Sequence, residues 1–517
     1  MASISTLVAF VAFCSLSSAA SASSFVNQTT CSGKTYTYQQ LAGYGFIPSD
    51  ARDKFGDTIG GIGSSIALDR SSWRKTNASS YTGTLWTLPD RGWNTNGTLN
   101  FQPRVHKIQI DFTPMPNASV SNPAAPNLVL TYRDTVAFTG PDGTPLTGLD
   151  ADFTGHLTYP NFPDLPKTTF TGNGFGGLGP GGIRIPADTE GLVLGSDGSF
   201  WVSDEYGPYI YHFSSSGSML AAIRPSDAYI PMRNNTESFS ADSPPLYDPS
   251  LEPIPADNPS GRDNNQGFEG LTASPDGTRL YALLQSALNQ EGGLHKTDRR
   301  YARLVEYDIS NSSSSGAPVY VAEYVVPLPL YDSSGDELVA AQSEIHYLSP
   351  TQFIVLARDS NAGRGQSSSL SLYRHADVFD IANATDVKGA DNDAVNGSIA
   401  SGKGKLHDGV VPATYCSFLD YNVNAQLNRF GLHNGGNQDG GLLNEKWESL
   451  ALAPVDGEDG ADGEFFLFSL SDNDFITQNG YLNNGTFRYA DGSGANLDNQ
   501  ALVFQISLPQ GDSPLVS

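Results

Sequence analysis

Positive charge is scarce in this sequence. Lys and Arg number 29 against 55 Asp and Glu, for a formal net charge of −26 at pH 7. That balance excludes nucleic acid as a partner, because its phosphates would be repelled. Other polyanions are disfavoured unless bound cations reverse the local field. Solubility outside the cell accounts for most of the excess. Cysteine is scarcer still, at three residues. Long hydrophobic runs are missing. The run from Leu7 to Phe13 is too short to span a bilayer, and no later stretch is long enough. The C-terminus lacks the apolar tail of a lipid-anchor signal, so no membrane anchor is expected. Long amphipathic helical runs are absent, and no charged, low-complexity linker divides the chain. There is no Gly-x-Ser-x-Gly elbow and no His-Glu-x-x-His, which removes support from ordinary serine-hydrolase and zincin chemistry.

Residues 1–22 read as a secretory signal peptide. An apolar run is followed by small residues ending Ala20-Ser21-Ala22, although Lys and Arg are missing ahead of the run. The expected product is secreted, extracellular and monomeric. Cys14 would leave with the signal, so Cys31 and Cys416 remain as an even pair. A bridge between them would close a very long loop, for roughly 5 kcal/mol in the chain-entropy picture. The alternative is two buried free thiols. Sequons stand at Asn27, Asn77, Asn96, Asn117, Asn234, Asn311, Asn383, Asn396 and Asn484. So many in one exported chain point to an N-glycosylated eukaryotic protein.

What the chain has is a recurring hairpin. Asp188 to Gly207 contains an apolar segment at 191–194, turn chemistry at Gly195-Ser196-Asp197-Gly198, and a second strand at Phe200-Trp201-Val202. With the turn at 195–198, Leu194 should face Ser199 and Glu190 should face Ser203. Glu190, Asp204 and Glu205 would then gather at one end of the hairpin. Carboxylates so placed repel each other unless a cation or a set of donors sits among them. Variants open at Glu269, Glu344 and Glu448, and a weaker copy begins at Gly60-Gly61 and ends at Asp90-Arg91.

Abundant glycine and proline, 54 and 32 residues, suit many short strands joined by loops. The expected fold class is all-β: a β-propeller of five or six blades with long loop insertions. Residues 23–54 form an N-terminal arm, 55–510 the propeller and 511–517 a C-terminal tail. Blade one would use 60–69, 83–90, 104–112 and 127–138. Blade two would use 190–195, 198–204, 208–214 and 218–224. Blade three would use 269–273, 278–285, 302–309 and 318–327. Blade four would use 343–348, 352–358, 369–380 and 414–423, and blade five 447–453, 464–471 and 501–508. The arm around Tyr44 to Ile47 could complete a last blade, joining both ends of the chain in one sheet. The insertions at 141–186 and 226–266 should cover one mouth of the channel.

Several motifs carry a resemblance. They are Asp188-Thr189-Glu190-Gly191-Leu192, Trp201 to Pro208, Asn265 to Thr272, Phe353 to Asp359, Ala384 to Val387, and Ser471 to Phe475. On these the chain resembles the phytase-like β-propeller family, often called "esterase-like activity of phytase", as a secreted eukaryotic, fungal member. The resemblance covers roughly residues 55–510. It implies a propeller whose acidic strand ends face the central channel. Members are labelled hydrolases by analogy with calcium-dependent propeller phytases, and fold alone does not fix chemistry. The dense basic cleft expected around an inositol phosphate is missing here.

Innermost strands converge on a propeller axis, so one acid per blade makes a ring: Glu190, Glu269, Glu344 and Glu448, with Gly61 in the blade-one slot. Together with Asp204, Glu205, Asp472 and Asp474 they supply hard oxygen ligands suited to Ca2+. Such an ion could activate a water and polarise an ester or phosphoryl oxygen. Arg91 and Arg358 end strands in equivalent places and could hold a carboxylate or phosphate. His346, two residues past Glu344, could carry a proton. Each assignment has a rival: acids accepting backbone N–H groups, arginines simply pairing with those acids, a structural histidine. Asp456 to Glu464 lacks the acid spacing of an EF-hand, and Gly174 to Gly179 is followed by no helix, so neither is a ligand motif. The expected function is metal-dependent hydrolysis of a small-molecule phosphate or carboxylic ester. The alternatives are a non-catalytic binding or cell-wall propeller with structural calcium, and a lactonase-like propeller.

Overall fold

The computed structural model describes residues 25–311 and 317–516. The signal segment 1–22 and Ser517 lie outside the described residues. Five antiparallel sheets follow one another along the chain, and the first strand of each lies closest to the next sheet. Blade one comprises Ser65–Leu68, Tyr81–Leu88, Arg104–Phe112 and Leu128–Ala137. Blade two comprises Thr189–Leu194, Phe200–Asp204, Ile210–Phe213 and Met219–Ile223. Blade three comprises Phe268–Ala273, Arg279–Leu284, Tyr301–Asp308 and Val319–Pro327. Blade four comprises Ala341–Tyr347, Gln352–Arg358, Arg374–Asp380 and Thr414–Asp420.

Blade five takes strands from both ends of the chain. Its innermost strand is broken into Lys446–Trp447 and Ala451–Pro454, followed by Glu464–Asp472 and Asn499–Ser507. Lys34–Ile47 then pairs antiparallel with Asn499–Ser507, placing Tyr44 opposite Leu502, and Asn27–Cys31 adds an outer strand. Closure of this kind leaves the ring without an open seam. A disulfide joins Cys31 to Cys416 across 385 residues, with Cα atoms 5.8 Å apart. It ties the closing blade to the outermost strand of blade four.

The core lies between blades rather than at one centre. One cluster packs blades four, five and one through residues such as Leu356, Phe466, Phe504 and Leu85. Another packs blades two to four through Trp201, Leu283 and Val355. A third joins blades one and two through Trp86, Phe138 and Phe200. The apolar runs at Leu280 to Leu284, Phe353 to Ala357 and Phe465 to Phe468 are buried on both faces, which explains their lack of alternation.

Two features differ from the sequence expectation. The blade-two hairpin pairs Leu194 with Phe200, not Ser199, and Thr189 with Asp204. A β-bulge between Thr189 and Leu192 reconciles those two registers. In blade one, residues 60–64 form no strand, because the first strand begins at Ser65. No described helix is long and apolar enough to cross a membrane. All nine sequon asparagines are exposed.

Candidate functional site

The bulge of blade two recurs. Blade three has one between Phe268 and Gly270, and blade four between Gln342 and Glu344. In blade five the break at 448–450 has the same effect. A bulge adds one residue to one strand and re-aims its side chain. Glu190, Glu269 and Glu448 sit at these irregularities. Glycine follows the first two for a steric reason. A Cβ on Gly191 would come within 2.4 Å of Leu271 Cβ, and one on Gly270 within 2.9 Å of Ile345 N. The blade-one slot is closed in another way. Gly61 has φ +63°, and a Cβ there would lie 2.9 Å from an oxygen of Asp90. Asp90, from the next strand end, therefore supplies the acid of blade one.

Carboxylate oxygens of Asp188, Glu190 and Glu205 lie within 4.8 Å of one another, and all three residues are buried. Glu269 adjoins them, close enough that its charge raises Glu190 and that the charge of Glu205 raises Glu269 in turn. Burial, and then the neighbouring carboxylates, hold Glu190 and Glu269 well above the usual carboxylate range. Burial, with Asp188 nearby, pushes Glu205 up to about 7. Glu205 Oε1 and Glu269 Oε2 have no hydrogen-bond partner, although the residues are 1% and 2% exposed. Orphaned carboxylate oxygens at such depth are costly. A divalent cation would satisfy them, so the residues present fit a hard-ion site.

A second group adjoins the first. Oxygens of Asp90, Asp472 and Asp474 also lie within 4.8 Å of one another. Lys446 Nζ is 2.6 Å from Asp474 and 3.3 Å from Asp472. Burial, partly offset by Lys446, leaves Asp472 at about 7. The arginines are paired as well. Arg91 lies 3.2 Å from Asp188, and its backbone N–H donates to the same side chain at 3.1 Å. Arg358 donates to Glu448 and lies 3.9 Å from Glu445.

The structure thus brings together Glu190, Glu205, Glu269, Glu448, Asp472, Asp474, Arg91 and Arg358. Three expected site residues are elsewhere. Asp204 accepts the N–H groups of Asp188, Tyr206 and Gly207 and the hydroxyl of Tyr211, at 2.9 to 3.2 Å. It braces the hairpin end instead of facing the axis. Glu344 accepts from Ser65 Oγ at 2.5 Å and from the N–H groups of Leu271 and Ile345 at 3.0 and 2.9 Å, stapling blade four to blades one and three. His346 does not sit among the acids. Its Nε2–H donates to Leu515 O at 2.7 Å, and burial lowers its pKa to about 4. A neutral ring whose donor is committed to the C-terminal tail is an anchor, not a proton carrier.

Sequence reasoning missed Asp90, Asp188 and Lys446. A signal existed for two of them. Asp188 stands two residues before Glu190, and Lys446 two residues before Glu448, each beside an acid that the repeat singles out.

The long insertions cover this end of the channel. Asp150 accepts from Ser240 Oγ and the N–H groups of Ala241 and Ser243, locking one insertion to the other. Arg262 donates to Tyr206 O at 2.8 Å and to Phe239 O at 2.7 Å, and the Tyr206 hydroxyl donates to Gly148 O at 3.0 Å, fastening both over the hairpin end. Access remains beside Lys446 and Asp474, whose side chains are 29% and 20% exposed.

Fold and site together define a five-bladed β-propeller with a covered acidic pit on its axis. Residues 58–475 match the Phytase-like family, described as "Esterase-like activity of phytase", and the chain belongs to that family. It is 55% identical over 466 residues to an uncharacterized secreted protein of Arthroderma benhamiae, covering 88% of this chain and 90% of the relative. Among solved structures, similarity extends to a luciferin-regenerating enzyme, at 10% identity and TM-score 0.28, covering 88% of this chain and 94% of that one. It extends also to the PQQ-bound aldose sugar dehydrogenase of Streptomyces coelicolor, at 10% identity and TM-score 0.25, with 94% and 97% covered. The fold assignment rests on the five sheets themselves.

Proposed function

We propose that this chain is a secreted hydrolase of phosphate or carboxylic esters that works with a divalent cation, Ca2+, bound on the propeller axis. The orphaned, buried oxygens of Glu205 and Glu269 carry this reading. Asp188, Glu190, Glu205 and Glu269 would hold the ion. When bound, it supplies Lewis-acid polarisation of an ester or phosphoryl oxygen and a more acidic water. Arg91 and Arg358, fixed by Asp188 and Glu448, orient an anionic substrate group at the pit wall. The two insertions exclude bulk water and strengthen every charge interaction inside. Export is supported by the disulfide, the exposed sequons and the secreted relative.

One observation favours a second reading. Lys446, Arg91 and Arg358 all already have carboxylate partners, as in a binding propeller whose ion is structural. A panel of phosphate monoesters, carboxylic esters and lactones, assayed with Ca2+ and with chelator, separates the two. Chelator-sensitive turnover of any of them supports the hydrolase. Calcium-dependent melting with no turnover on the whole panel leaves the binding module.

A further inference from the structure

The two acidic groups on the axis are not equivalent. In the first, Glu205 Oε1 and Glu269 Oε2 are buried without partners. In the second, both oxygens of Asp90 and of Asp472 are engaged. Asp90 accepts from Gly92 N at 3.0 Å and Asn94 Nδ2 at 3.3 Å. Asp472 accepts from Asp474 N at 2.6 Å and from Lys446 Nζ at 3.3 Å. The groups adjoin, since Asp188 accepts from the N–H of Arg91, the residue next to Asp90, at 3.1 Å.

The position of Lys446 explains the difference. It pairs with Asp472 across the blade-five ladder, two residues before Glu448. Its ammonium sits between Asp472 and Asp474, whose oxygens, with those of Asp90, form a cage of the size that holds a metal ion. An ion entering that cage would have to displace an ammonium already in contact with two of its three carboxylates. Resting on the cation site proposed above, we infer that Lys446 is a built-in cation occupying the place of a second divalent ion, so that the propeller binds one ion per chain rather than two. Lys446 is thus a positioning residue. It fixes Asp472 and Asp474 and withholds them from the first ion.

The test is the number of Ca2+ ions bound by the intact glycosylated chain, read by titration calorimetry and by metal content after equilibrium dialysis. The wild type should bind one. Lys446→Met, similar in length and uncharged, should bind two, and adding Asp472→Asn in that background should return the count to one. Lys446→Arg keeps the charge and should stay at one. In the wild-type background, Asp472→Asn should leave the count unchanged. An equal count in wild type and folded Lys446→Met overturns the inference. So does loss of the single ion on Asp472→Asn alone, a result that stands even where Lys446→Met does not fold. A wild type that binds no ion removes the proposed axial site. The gain on Lys446→Met is a separate difference and is read independently of that result.

Discussion

Burial and then the charge of Glu205 raise Glu269, and each of these two residues has a buried oxygen without a hydrogen-bond partner. Asp204, Glu205 and Asp472 all sit near 7, raised by burial. A carboxyl raised in the folded state binds more protons there than in the unfolded chain, whose carboxylates ionise near 4. Stability then falls as pH rises through the folded-state value. His106 and His346 are shifted the opposite way, to about 3 and 4, and add stability as pH rises toward 6.5. Above 6.5 the unfolded histidines are mostly neutral, and His375, which burial lowers but Asp377 and Asp420 raise to a net increase, loses its stabilising effect with rising pH in the same direction as the carboxylates. In chelator, the melting temperature should therefore fall between pH 6.5 and 8. Saturating Ca2+ should flatten that fall, because the ion replaces the protons. A chelated protein whose melting temperature rises over this window would contradict the reading of the pit.

Glu344 gives a contrasting prediction at the same scale. Its role is to accept from Leu271, Ile345 and Ser65. Glu344→Gln retains an acceptor for the two N–H groups, so it should fold and respond to Ca2+ as wild type. Glu344→Ala strands those donors and should cost about 3 kcal/mol, at roughly 1–3 kcal/mol for each unsatisfied group. Glu205→Gln and Glu269→Gln should do the reverse, keeping the fold and losing most of the calcium shift in melting temperature. Thermal melts of the four variants with and without Ca2+ check both statements.

At the scale of elements, the innermost strands are built around close approach. Blades two and three meet where Gly191 faces Leu271. Gly191→Ala places a methyl group into that contact and should cost about 1–3 kcal/mol through overpacking. It should also move Glu190, since the bulge lies at the same residues. The C-terminal tail is another such element. Leu515 N–H donates to Tyr347 O at 3.1 Å, and Leu515 and Val516 are buried against blades three to five. Deleting residues 514–517 should cost about 3 kcal/mol for those two side chains, measured as a lower denaturation midpoint. His346→Leu in the truncated chain should recover part of that loss, because the stranded Nε2–H donor is removed.

For the whole molecule, the critical seam is blade five. Lys34–Ile47 must return to pair with Asn499–Ser507, and Cys31–Cys416 locks that return to blade four. Removing the bridge with Cys31→Ser and Cys416→Ser should lower stability by roughly 2–5 kcal/mol. Proteolysis of the variant should begin in the arm rather than in blades two or three. Intact mass with and without reductant reads the bridge directly, and two freely alkylated thiols in unreduced protein would refute it.

The sequence alone determined the strand list. Period-two patterning and turn chemistry are local, so blades two, three and four were legible to within a few residues, as was the return of the arm to close the ring. The even cysteine pair and the acids opening the innermost strands of blades two to five were legible too. Tertiary structure decided what those acids do. A bulge changes side-chain parity without changing composition, so Glu190 and Glu269 turn inward while Asp204, on an unbulged strand, is taken by backbone donors. Glu344 was indistinguishable from Glu269 in the sequence. Only the packing of blades three and four against Ser65 gives it three partners and takes it out of the pit. His346 was likewise a plausible proton carrier until a tail more than 160 residues away supplied the carbonyl that holds it. Asp90, Asp188 and Lys446 come from three different blade ends and become one site only where the blades converge. Their meeting depends on long-range geometry, which no local pattern encodes.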